Sequence, residues 1–205
     1  MAIKPILFNT EMVRASLDGR KTCTRRLVRF LPGENPQWTG YIRDGLMLYN
    51  GRNEPCITKA PYQPGDILYV RETWKKAQNG YYYYEDWLRD DIVDVTKWKP
   101  SIHMPKEAAR IWLKVTDLRV ERLKEITDDG ALREGAQGIR CDHVALGEHG
   151  CTDCMNTGWL EPPQVEFMQI WNSTIKKSDL DRYGWDSSPW VWVIEFERCE
   201  KPEGV

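Results

Sequence analysis

Residues Asp66–Trp74 read DILYVRETW and follow the turn signal YQPG at Tyr62–Gly65. Ile67, Tyr69 and Arg71 alternate with Leu68, Val70 and Glu72, the period of a β-strand. Such a strand needs partners, and the flanking sequence offers several. Ile3–Phe8 reads as a short strand. Ile111, Leu113 and Val115 alternate, then Leu118 and Val120 resume out of phase, which predicts a bent strand or a bulge near Asp117. Trp190–Arg198, WVWVIEFER, reads as a buried strand.

The helices between these strands are short. Asn9 or Thr10 is placed to cap a helix running to about Leu17, with Met12, Val13 and Leu17 on one face. Gly19 then stands where a left-handed stop belongs. Thr127 caps a short helix ending at Gly135, with Ile126 as a staple. Pro162–Ile175 is predicted helical, with Phe167, Ile170 and Trp171 on one side. Tyr81–Tyr84 reads as an edge strand, and Pro105 opens a single turn over Lys106–Ala109. No β-α-β rhythm is present, so the pattern predicts an α+β domain built on a small mixed or antiparallel barrel of about five to six strands. One domain over 1–205 is expected, with irregular excursions at 31–60, 75–105 and 138–190.

The bulk composition narrows the function. The 205 residues carry 29 basic and 31 acidic side chains, a net charge of −2. General affinity for duplex phosphates calls for a basic excess, so a nucleic-acid role has to rest on a local patch or on a single base. The N-terminus MAIKPILFNTEMVRA lacks a signal-peptide core, and no apolar run is long enough to span a membrane. A cytoplasmic protein is expected, with its six cysteines serving as thiols or metal ligands rather than disulfides. Most of the ten tryptophans are expected in the core.

Three groups of residues carry chemistry. The first is GRKTCTRR, Gly19–Arg26. Lys21 follows a helix-ending glycine and Thr24 lies three residues on. A hydroxyl becomes a nucleophile when a nearby base takes its proton, and a lysine is that base when burial lowers its pKa. Arg25 and Arg26 supply anion-binding forks. The same residues also fit a solvated basic strand edge. In an ideal strand Lys21 and Thr24 face opposite sides, so they converge only if Lys21 still belongs to the turn.

The second group is Cys141, His143, His149, Cys151 and Cys154. CTDC at 151–154 is a CxxC pair, and Cys141, Cys151, Cys154 and His149, or His143 in its place, complete a tetrahedral zinc site in a knuckle-like loop, 141–158. Such an ion is structural, since four protein ligands leave no position for water. A loop with incidental thiols is the alternative. The third group is aromatic. Trp74, after Arg71 and Glu72, is the chosen cleft wall, with Arg71 and Glu72 placed for a base edge.

Three blocks together resemble the ASCH-domain family, which has a PUA-like β-barrel fold. They are DGRKTCTRR after the first helix, PGDILYVRETW, and VTDLRVERLKEITDDGALREG. The closing YGWDSSPWVWVIEFE is similar to a longer, phage- or prophage-borne branch. A small bacterial branch of this family hydrolyses N4-acetylcytidine to cytidine and acetate. The resemblance implies Thr24 as nucleophile, Lys21 as its activator, and Glu134 holding the lysine or moving a proton. No cofactor is implied for that chemistry. A nucleoside or RNA is the implied partner. The other functions open to the chain are an RNA- or modified-base-binding module without turnover, and an accessory protein meeting phage or host proteins through its insertions.

Overall fold

The computed structural model describes residues 1–34, 41–43, 46–89, 97–142, 151–155 and 157–204. The strands are β1 (Ile3–Leu7), β2 (Cys23–Leu27), β3 (Tyr41–Arg43), β4 (Met47–Tyr49), β5 (Ile67–Arg71), β6 (Trp74–Ala77), β7 (Gly80–Tyr83), β8 (Trp112–Arg122), β9 (Ile139–Arg140), β10 (Trp159–Glu161) and β11 (Trp190–Cys199). The helices are α1 (Thr10–Leu17), α2 (Tyr84–Arg89), α3 (Asp128–Glu134), α4 (Pro163–Thr174) and α5 (Leu180–Tyr183), with short 3-10 turns between them. Five strands form a mixed sheet in the order β1–β5–β8–β11–β2, with β1 and β2 at its two ends. β1 runs parallel to β5, and β5 antiparallel to β8. The α+β class expected from the sequence is the class observed. Among the described residues, none forms a helix long and apolar enough to cross a membrane.

The chain divides into two compact units. One comprises Met1–Thr22, Pro61–Leu118 and Ile194–Val205, the other Cys23–Ala60 and Arg119–Val193. β8 and β11 run through both. The change of phase predicted in β8 is present: Val115 is buried, Thr116 and Asp117 are both exposed, and Leu118 and Val120 are buried again.

In the first unit, α1 is capped as its sequence dictates. The Asn9 side chain accepts from the Met12 N–H at 2.8 Å. At the other end Gly19 adopts φ +74°, the Gly19 N–H donates to the Ser16 carbonyl and the Arg20 N–H to the Ala15 carbonyl. That pair of bonds is a Schellman stop, which needs a residue free of Cβ strain. The core of this unit gathers Ile67, Tyr69, Trp74, Met104, Ala108, Ala109 and Trp112.

The strand expected over Asp66–Trp74 is shorter than its sequence pattern. β5 ends at Arg71, and Trp74 begins β6, which pairs with β7 as a hairpin. The physical reason is local. The Glu72 N–H donates to the Met104 sulfur at 3.2 Å and the Trp74 N–H to the Lys99 carbonyl at 3.2 Å, so neither continues the ladder. Tyr81–Tyr84 lies on β7 and the first residue of α2.

In the second unit, β3 and β4 form a hairpin within the first excursion. α3 is capped by Thr127, whose hydroxyl accepts from the Gly130 N–H at 3.1 Å, and stopped by Gly135 at φ +104°. The core joins Leu123, Ile126, Ala131 and Ala136 to Phe167 and Trp171 of α4 and to Val191 and Val193 of β11. Trp38, His143 and His149 lie outside the described residues.

Asp66 ties the start of β5 to the chain's N-terminal strand. Its carboxylate accepts from the Ala2 N–H at 2.8 Å, the Gln63 N–H at 3.1 Å and the Lys4 ammonium at 2.8 Å. Burial opposes its charge, but Lys4 and the two backbone donors outweigh burial and hold the carboxyl below its ordinary range. A depressed folded pKa means a contribution that is present above the unfolded value of ~3.9 and lost as pH falls through the folded one. Urea titrations of the protein and of Asp66→Asn are therefore expected to differ most near neutrality and to converge as pH is lowered below the carboxylate range. A gap independent of pH would mean that the charge of Asp66 is not what stabilises this corner.

Candidate functional site: a buried arginine, two carboxylates and an unpartnered hydroxyl

Cys23, Thr24 and Arg25 are buried one after another at the start of β2, which is covered on both faces. Arg25 and Cys23 share one face: Nη1 of Arg25 lies 3.9 Å from the Cys23 sulfur, and that sulfur 3.9 Å from the Gly130 carbonyl of α3. The guanidinium donates from Nη1 to Glu134 Oε1 at 3.4 Å and from Nη2 to Glu121 Oε2 at 3.3 Å. Arg119 forms a second ion pair with Glu121. Phe167 of α4 closes the arrangement, its ring centroid 5.8 Å from the Arg25 guanidinium carbon. Gly130 leaves the space, since a Cβ there would stand 3.3 Å from Arg25 Nη2.

This geometry explains the placement of Glu134. An acidic group in the last turn of a helix opposes the helix dipole. Here a buried guanidinium faces it, and its side chain is 4% exposed against 3% for that of Arg25. Arg25, read from sequence as a fork for substrate anions, thus sits between two carboxylates of its own chain. Thr24 is wholly covered, and its hydroxyl has no hydrogen-bond partner among the described residues. Buried hydroxyls are nearly always satisfied, so this one calls for an explanation. Arg26 on the same strand is half-buried.

The remaining catalytic and base-recognition candidates from sequence belong to the first unit. Lys21 is 3% exposed and precedes β2 rather than lying on it. Its N–H donates to the Ala15 carbonyl at 3.0 Å, and its ammonium lies 5.4 Å from the Phe8 ring centroid. Arg71 donates to the Ile102 carbonyl at 3.1 Å and stacks near Tyr69. Glu72 is buried and takes both of its bonds from Arg110, at 2.9 Å each. Arg110 also donates to Asp86 at 2.7 Å and lies over Tyr83, 4.0 Å from its centroid. Burial pushes the Glu72 carboxyl up, Arg110 pulls it back, and Asp86 and Glu85 add to the rise. Trp74 is buried, with its indole N–H unpartnered among the described residues and Lys99 5.1 Å from its ring.

Two of these partners were not legible in advance. Arg110 meets Glu72 across 38 residues of sequence and Glu121 meets Arg25 across 96. Arg110 stands in no motif, and Glu121, though within VTDLRVERLKEITDDGALREG, is given no role by it. The odd placement of Glu134 was the one available hint that a cation faces it.

The cysteines make a third feature. Cys141 follows β9, and its N–H donates to the Gly158 carbonyl at 3.1 Å. The sulfurs of Cys141, Cys151 and Cys154 lie within 4.8 Å of one another, a group that could hold a metal ion. The N–H groups of Cys154 and Asp153 point at the Cys151 sulfur and lower its pKa, the state a metal ligand needs.

A crystal structure of an ASCH domain from Lactobacillus crispatus JV V101 is similar to this chain with a TM-score of 0.39 and 12% identity, covering 96% of this chain and 79% of that one. No family model and no curated protein matches the chain.

A buried pair resists the loss of one partner far more than the loss of both, because the survivor keeps its desolvation penalty. Glu134→Leu alone is expected to cost about 3 kcal/mol, and Arg25→Leu a similar amount. The double variant should cost clearly less than the sum, read by urea denaturation. Additive losses would mean that the two side chains do not depend on one another.

Proposed function

We propose that the protein is an ASCH-type hydrolase of a modified nucleoside or nucleobase, with N4-acetylcytidine as the model substrate. The observation behind the reading is that Lys21, Thr24 and Glu134 are each buried. The family resemblance singles out these three, two from the signature and Glu134 from the later helix, and lysine and glutamate are seldom withdrawn from water without a reason. Thr24 adds a hydroxyl with its bonding capacity unspent.

The chemistry follows from those groups. The Thr24 oxygen attacks the amide carbonyl while the Lys21 amine takes its proton. The tetrahedral centre collapses, the C–N bond breaks, and the nucleobase amine leaves with a proton. Water then cleaves the acetyl–threonine ester to release acetate and restore the hydroxyl. Glu134 holds the lysine or shuttles the proton, and Arg25 pairs with Glu134 in its buried position. Arg26, Arg71, Glu72 and Trp74 are the residues proposed for recognition of the base. The complete covering of Thr24 requires the side chains over it to part before substrate enters. That same covering favours, as second reading, a module that binds RNA or a modified base without turning it over.

We also propose that the cysteine group holds a structural zinc ion, with no part in the hydrolysis and with His149 or His143 as the fourth ligand expected from sequence.

The purified protein incubated with N4-acetylcytidine is expected to release cytidine and acetate, followed by chromatography. Lys21→Ala should slow release by at least ~100-fold, the usual weight of a general base. Binding of the nucleoside in a calorimeter without release would overturn the enzyme in favour of the binding module.

A further inference from the structure

Among the described residues, the hairpin of β9 and β10 has little ordinary packing to hold it. Its strands are two and three residues long, with a register shift between Trp159 and Glu161. A two-stranded ribbon of that size is not stable in water alone. Ile139 and Leu160, its aliphatic side chains, are each 53% exposed. What it buries instead is Cys141, Cys154 and Trp159, with the Arg140 guanidinium 3.9 Å from the Trp159 ring centroid. Among the described residues, its buried side chains are therefore two thiols and one indole.

The thiols are spaced for a metal and not for a disulfide. Cys141 and Cys151 have their sulfurs 3.7 Å apart. A tetrahedral ion with metal–sulfur bonds of about 2.3 Å sets its ligands roughly 3.8 Å apart, whereas a disulfide needs about 2.05 Å. The turn around the pair is built to match. The Thr157 N–H donates to the Cys154 carbonyl at 2.9 Å, and Gly158 turns the chain back at φ +82°.

The hairpin is also wired to the Arg25–Glu134 pair. Immediately before β9, the N–H groups of Gln137 and Gly138 donate to the Glu166 carboxylate of α4, at 2.6 and 3.3 Å. Gly138 passes so close to the start of α4 that a Cβ would lie 2.7 Å from the Glu161 carbonyl oxygen and 2.7 Å from the Pro163 nitrogen. Gln164 of the same helix donates to the Ile126 carbonyl at 2.7 Å, just ahead of α3. One turn further on is Phe167, over Arg25.

We propose that Cys141, Cys151 and Cys154 form a thiolate site for a zinc-class ion that folds the hairpin, and that the filled site fixes the first turn of α4 and so the ring that closes over Arg25 and Glu134. The ion is a clasp whose loading sets the order of the candidate site. This rests on the zinc reading above and is independent of whether the site hydrolyses anything.

The test uses the full chain. The protein stripped by a chelator is titrated with cobalt(II), and hydrogen exchange is followed in the stripped and the zinc-reloaded forms. Expected are one equivalent of cobalt with a thiolate-to-cobalt charge-transfer band, lost in Cys151→Ser and in Cys154→Ser. Stripping should speed exchange at least tenfold in Ile139–Arg140, Trp159–Glu161 and the first turns of α4, and leave β1 unchanged. Zinc should restore it. Absence of the band in the unsubstituted chain would remove the metal site and the zinc reading together. A normal band with unchanged exchange in α4 would keep the ion and overturn the coupling. Cytidine release enters neither readout.

Discussion

A guanidinium taken out of water has to be answered by charge, and Arg25 is answered twice. Glu134 and Glu121 meet it from separate elements, so β2, α3 and β8 are registered against one another by a single side chain. Apolar packing alone would leave these contacts free to slide, since hydrocarbon surfaces are tolerant of small shifts. Directional bonds between buried charges are not. The glycine at 130, the helix stop at 135 and the ring of Phe167 all read as accommodations to that one group.

The first unit repeats the device with different residues. Arg110 joins Glu72, Asp86 and the face of Tyr83, and Tyr83 in turn donates to the Ala108 carbonyl at 2.6 Å. Each unit therefore pairs an apolar core with an arginine-centred polar knot. Such knots add little net stability over hydrocarbon of the same volume, but they are intolerant of a missing member. They favour one arrangement over its near neighbours.

Much of this was legible in the sequence where the signal is local. Asn9, Gly19, Thr127 and Gly135 announce the ends of α1 and α3 because caps are written within four residues. The phase change in β8 could be read from Val115 and Leu118 for the same reason. The break after Arg71 could not, because it depends on the Met104 sulfur and the Lys99 carbonyl, some thirty residues away. The family resemblance pointed to Lys21, Thr24 and Glu134, and each of them is buried. It was silent about what Arg25 faces, since Glu121 and Glu134 are reached through folding and not through spacing. A sequence shows where charge is placed, whereas only the packed chain shows which charge answers it.

Gly130 carries a consequence for descent. Any side chain at that position presses on Ile126 and on the Arg25 guanidinium, so residues 25 and 130 are not free to drift separately. Among relatives of this chain, an arginine at the first position should travel with a glycine at the second. Lineages that have lost the one are expected to have relaxed the other, and with it the company kept by Glu134.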